Sequence, residues 1–254
     1  MWRLPNDQSE PIITAKDHIS GTHRNCHLRL PETAIVFFMG RGVKYLCEHY
    51  PAEKLPEPFP RFASRCPIWE IDGYEICFLD GGRGAPQAAD TVETLAALGV
   101  KTIITVGMFG AFDPRIHIGE IIAPGKAFVE EGTSLHYYHS ISYAAPDSGL
   151  LETAASRLQI QTYPIVSTDA VYRQTYCKEQ LWRKQGAVGV DMETSAVFSV
   201  SRYLGVRAAA ILTASDIHPM APGAPSWQWH MTDEMRYDSV EKSIDFVTQF
   251  VQKK

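Results

Sequence analysis

The chain has 254 residues, 45% of them hydrophobic and 21% charged, with a formal net charge of −5, so it can bury one large core and a single domain is expected. The acidic balance argues against a phosphate-tracking nucleic-acid surface, which needs a clustered basic excess, and no apolar run approaches the roughly 18 residues that cross a bilayer. Five cysteines (Cys26, Cys47, Cys66, Cys77 and Cys177) are odd in number and lack CxxC spacing, which points away from a disulfide framework or a zinc site and toward a reducing cytoplasm.

Residues 1–32 are polar and mixed, with no apolar stretch of the secretory kind, and read as an N-terminal extension. TAIVFF (33–38) opens the core as a buried strand, and GVKYLCEHY follows as a short helix. The segment 51–67 carries five prolines in seventeen residues, too many for a helix interior or a central strand, and reads as a surface excursion. WEIDGYEICFLDGG forms two short β runs about a DG turn, and APQAADTVETLAALG a helix closed by Gly99. Strands then follow at KTIITVGMFGAF, GEIIAPGKAFVEEGT, IQTYPIVSTDA, AVGVDM and RAAAILTASD, with helices between them, including 194–205 and the C-terminal DEMRYDSVEKSIDFVTQFVQKK. This alternation predicts a single three-layer α/β/α domain over 33–254 around a twisted mixed sheet.

Ligands of such sheets sit at the carboxyl ends of strands, which singles out VGMFGAF, VDMETSA and LTASDIHP. In VDMETSA, Glu193 falls where a strand meets a helix, and backbone N–H groups and the helix dipole there favour an ionised carboxylate. It is either a plain helix-start acid or an acceptor for vicinal sugar hydroxyls that also steadies positive charge on the sugar carbon. In LTASDIHP, an apolar strand delivers Thr213, Ser215 and Asp216 to its end; Asp216 is either a turn residue or a partly desolvated general acid with a raised pKa. Gly107 and Gly110 let backbone approach a ligand, and Phe109 and Phe112 are core residues or covers for a flat ring. Trp227, Trp229 and His230 lie just beyond the acid, in a loop that closes over a flat ligand, buries at a subunit contact or packs on its own domain. His117, His136, His139 and His218 show no metal-ligand spacing, so no metal is expected.

Taken in order, GGRGAP (81–86), VGMFGAF (106–112), GEIIAP (119–124), EEGTSLHYY (130–138), STDAVYR (167–173), GVDMETSAVF (189–198) and LTASD (212–216) resemble the nucleoside phosphorylase family, which spans uridine phosphorylases, hexameric-type purine nucleoside phosphorylases and hydrolytic nucleosidases. The resemblance runs from about residue 33 to 218. It implies cleavage of the bond between base and ribose of a nucleoside or nucleotide, with Met192 and Glu193 on the ribose, Asp216 as purine-side acid, and Tyr172, Arg173, Phe109, Gly107 and Ser215 lining the pocket. It also implies a homo-oligomer, a dimer or a hexamer of dimers, in which His27 reaches a neighbouring pocket to hold the 5′-hydroxyl. No cofactor is implied beyond phosphate as a co-substrate.

The phosphate half of the family pattern is altered. Where the family's first loop carries a glycine and an arginine, this chain has Phe38 and Gly42, and where a second arginine and a hydroxyl are expected it has Thr105 and Met108. Losing such charge-assisted donors weakens anion binding by several kcal/mol, unless Arg41, Arg83 or Arg61 rebuilds the site. The hydrolytic relatives' first-loop glutamate is absent too. The acceptor therefore stays open, Arg173 with Gln174 keeps a uracil base in view, and a catalytically silent nucleoside binder is the alternative.

Overall fold

A computed structural model describes residues 9–22 and 28–251. Strand β1 (Thr33–Phe38) is buried at every position, and its alternation divides the interior: Ala34, Val36 and Phe38 join one apolar cluster, Ile35 and Phe37 the other. Two buried faces explain an unbroken apolar run where a half-exposed strand would alternate. The first face is covered by α3 (Ala85–Ala97), through Ala88, Val92 and Leu95, and by α7 (Thr194–Leu204), through Val197, Phe198 and Val200. The second is covered by α2 (Gly42–His49), α5 (Ser148–Leu158) and α8 (Asp233–Val247), through Leu46, Leu150, Val240 and Ile244. Here are the expected three layers.

β4 (Ile76–Asp80), β1, β5 (Thr102–Ala111) and β10 (Arg207–Ile217) lie parallel, side by side. β3 (Ile68–Ile71) and β2 (Ala52–Lys54) extend one edge in antiparallel pairing. On the other side β10 also pairs with β6 (Ile121–Glu130), β6 with β8 (Gln161–Thr168), β8 with β9 (Gly189–Asp191), and β9 with the end of β5. Five strands thus return to their starting point and close the sheet into a ring at one end. Bulges at Pro124/Lys126 and Ala214/Asp216 supply the bending that closure requires. The short β7 (Tyr143–Ala144) hangs on β6, and α4 (Ser134–Tyr137) and α6 (Tyr176–Lys184) connect strands around the ring.

The structure departs from the sequence reading at two places. Within the N-terminal extension, α1 (Ala15–Thr22) packs on α3. Thr14 and Asp17 cap it reciprocally, the Thr14 N–H donating to Asp17 at 2.9 Å and the Asp17 N–H to the Thr14 hydroxyl at 3.2 Å, the box that the spacing T-x-x-D encodes. The proline-rich excursion is also tied down: it contributes β2, buries Phe59 completely, and pairs Phe59 with Cys66 across a bridge.

Candidate active site

β5 is the axis of the site. Its Gly110 is in register with Asp216 of β10 on one side and with Val190 of β9 on the other. Because β9 runs antiparallel to β5, the chain after Asp191 turns back toward Gly107, which pairs with Phe38 at the end of β1. Glu193 stands at the N-cap position of α7 without capping it through its side chain; its Oε1 instead accepts the Gly84 N–H at 2.6 Å from the GGRG turn that opens α3.

The electrostatics of Glu193 and Asp216 reverse the expectation for each. Glu193 is 8% exposed; burial first, then the Asp191 charge, push its pKa well up, against the N–H groups of Gly84 and Met192 and the nearby Arg83. Asp191 is itself raised by burial, although Ser167 donates to it at 2.5 Å and Thr194 adds its backbone N–H at 3.2 Å. At Asp216 burial also raises the pKa, but hydrogen bonds from His218, Ser215 and Trp227 outweigh it, and the net shift is downward. The raised value foreseen for Asp216 is thereby corrected: three donors on one carboxylate stabilise its anion more than desolvation destabilises it. Likewise the helix-start position does not keep Glu193 acidic, because its burial beside a second acid dominates the dipole.

The bulge between Ala214 and Asp216 turns Ser215 inward, where its hydroxyl donates to the Phe109 carbonyl at 3.2 Å and to Asp216 Oδ1. Trp227 Nε1–H donates to Asp216 Oδ2 at 2.5 Å, and Trp229 bridges to Asp216 through the backbone, so the loop at 221–230 folds over the acid. His218 stands on the other side, with Nε2 3.3 Å from Asp216 Oδ2 and Nδ1 2.7 Å from Glu179 Oε1 of α6. Burial lowers the imidazole pKa, but the hydrogen bonds and charges of Asp216 and Glu179 carry it to about 9.

Of the remaining sequence candidates, Met192 is half-buried and its N–H donates to Glu193 Oε2 at 3.3 Å. Phe109 is buried against Gly189, where any Cβ would strike its ring at 2.3 Å. Tyr172 and Arg173 lie exposed on the short turn after β8. His27 lies outside the described residues. The three arginines separate clearly. Arg41 adopts φ 70° at the start of α2 and pairs with Asp233; Arg61 is buried and donates within its own chain to Thr91 at 2.9 Å, the Asp80 carbonyl at 3.2 Å and Ser64. Arg83 is half-exposed, pairs with Asp80 at 3.7 Å and acts electrostatically on Glu193. Thr105 is buried, and its hydroxyl has no hydrogen-bond partner.

Glu179, Asp191 and the role of His218 are absent from the sequence reading. Only the DxH spacing of Asp216 and His218, which places alternate residues of an extended segment on one face, could have signalled the histidine.

A profile of the phosphorylase superfamily matches residues 32–252. A guanosine phosphorylase of Halorubrum lacusprofundi is 34% identical over 56% of this chain and 61% of its own length. A DeoD-type purine nucleoside phosphorylase of Vibrio cholerae is 30% identical over 57% of this chain and 64% of its own length. These alignments thus span less than two thirds of either relative. Among solved structures, a uridine phosphorylase of Vibrio fischeri superposes with a TM-score of 0.71 at 24% identity, covering 87% of this chain and 92% of that one.

Proposed function

The chain belongs to the nucleoside phosphorylase family, and from that premise we propose that it cleaves the N-ribosyl bond of a purine nucleoside or nucleotide. One observation carries the reading: two buried carboxylates, Glu193 on the Gly84 N–H beside Arg83 and Asp216 held by Ser215, Trp227 and His218, stand at the carboxyl ends of two strands that both pair with β5. Ligands of such sheets bind at those ends, where two acids in different surroundings can divide electrostatic and proton-transfer work.

In this reading Glu193, ionised with help from Arg83 and the Gly84 N–H, accepts the 2′- and 3′-hydroxyls. As the C1′–N9 bond lengthens, the same charge stabilises the oxocarbenium-like ribose. Met192 packs beside the sugar. Asp216 faces N7 of the base, in the place the Trp227 indole N–H now takes, so Trp227 gives way on binding. Phe109 and Ser215 line the base side, Tyr172 and Arg173 the rim, and His27 of a neighbouring subunit the 5′ end. Arg83 is the cation we assign to an anionic acceptor, because its charge acts on Glu193, whereas Arg61 is buried and Arg41 pairs with Asp233. The bond broken, rather than the acceptor, is what this site defines: phosphate serves if Arg83 holds it, and water otherwise. The reading is completed by a cytoplasmic homo-oligomer acting on a small molecule.

Asp216→Asn and Glu193→Gln test the roles. The first should abolish purine release, a loss of about 10²-fold or more, while nucleoside still raises the melting temperature; the second should weaken both. Equal, small losses from the two variants contradict the assignment. A nucleoside that stabilises the wild type with no base released makes the chain a binding protein.

A further inference from the structure

We propose that His218, backed by Glu179, is a positioning residue that holds Asp216 and recharges it with the proton destined for the purine. The inference rests on the reading of Asp216 as the base-side acid.

Three features of the fold put the imidazole there. The backbone carries on past β10, the His218 N–H donating to the Ala111 carbonyl at 2.7 Å, so the side chain returns to the same face as that of Asp216. Glu179, 6% exposed on α6, accepts from Nδ1 at 2.7 Å and fixes the ring with Nε2 toward Asp216 at 3.3 Å. Gly110 makes the room: a Cβ there would lie 2.4 Å from His218 Nε2 and 3.0 Å from Asp216 Oδ2. The imidazole thus stands between two carboxylates, Asp216 of β10 and Glu179 of α6, and a cationic ring between two anions is the protonated form such an arrangement favours.

An ionised Asp216 cannot itself protonate a base, and this arrangement resolves the difficulty. The Nε2 proton of the imidazolium passes to Asp216 and from it to N7. The C1′–N9 bond breaks, its electron pair leaving on the purine, and C1′ takes the oxygen of the acceptor, a phosphate oxygen or a water that gives up one proton to solvent. His218 is left neutral with its Nδ1–H on Glu179 and regains the proton from solvent. A second carboxylate behind the histidine stabilises the imidazolium and orients it.

The test uses nucleosides whose leaving group needs no proton. Adenosine, inosine and guanosine are compared with their N7-methylated forms in the full-length wild type and in His218→Gln and Glu179→Gln. His218→Gln should lose on the order of 10²-fold in kcat/KM on the ordinary nucleosides and less than about threefold on the N7-methylated ones; Glu179→Gln should show the same split, more weakly. Retained turnover of the methylated substrates also reports that each variant is folded. If the wild type cleaves both sets but His218→Gln loses both equally or neither, the inference is overturned and the reading of the site stands. If the wild type releases base from no nucleoside, the reading falls and the inference with it.

Discussion

Raising the pH should unfasten the Glu179–His218–Asp216 cluster, and the size of the effect follows from the imidazole. Its pKa rises from an ordinary 6.5 to about 9 in the folded chain, so the folded state holds this proton more tightly than the unfolded state. The stabilisation is therefore fully present below about pH 6.5 and disappears as the pH climbs through about 9. At 16% side-chain exposure screening is modest, and the whole contribution is about 3 kcal/mol, of which about 2 kcal/mol is lost between pH 7 and pH 9. Urea unfolding followed by tryptophan fluorescence at pH 6, 7, 8 and 9 measures it, with His218→Gln as reference because every other titrating group is common to both proteins. The difference between wild type and variant should shrink steadily over that range. Parallel curves would refute the reasoning, since they mean that the imidazole binds its proton no more tightly folded than unfolded.

Gly110→Ala drives a methyl into the His218–Asp216 pair; it should destabilise the fold by about 1–3 kcal/mol, read by the same unfolding assay, and lower activity on ordinary purine nucleosides more than on N7-methylated ones. Trp227→Phe removes a donor from Asp216 while keeping the ring; nucleoside should quench the intrinsic fluorescence of the wild type more strongly than that of the variant, and equal quenching would mean that Trp227 stays in place on binding. Arg83→Ala removes a charge that helps ionise Glu193, so kcat/KM should fall about threefold near neutrality, within the range of a solvent-screened pair, and recover as the pH rises; an unchanged profile would remove Arg83 from the site.

Elements set by local pattern were legible in the residues alone. TAIVFF announces a strand buried on both faces, Gly99 and Gly205 adopt the positive φ of helix ends, and the runs ending in VDMETSA and LTASD carry Glu193 just past β9 and Asp216 near the end of β10. Ring closure was not legible, because pairing between β9 and β5 joins segments almost eighty residues apart and no periodicity reports it. The electrostatics failed for another reason, burial and hydrogen bonding. Glu193 is governed by its burial and by Asp191 buried with it, and Asp216 by hydrogen bonds from His218, Ser215 and Trp227 that outweigh its burial, so the local cues of helix start and apolar strand pointed the wrong way for both. The phosphate arginines illustrate a third limit: Arg61, Arg41 and Arg83 are present in sequence, but Thr91, Asp233 and Asp80 engage them, and only three-dimensional packing shows that Arg83 acts on Glu193.

The most direct measurement is free-base release from adenosine, inosine, guanosine, uridine, methylthioadenosine and AMP, each incubated with and without phosphate and resolved by chromatography. Release of base from one or more of the purine compounds, and not from uridine, is the predicted result, with phosphate dependence identifying the acceptor. Release from uridine alone, or from no compound under either condition, would contradict the account.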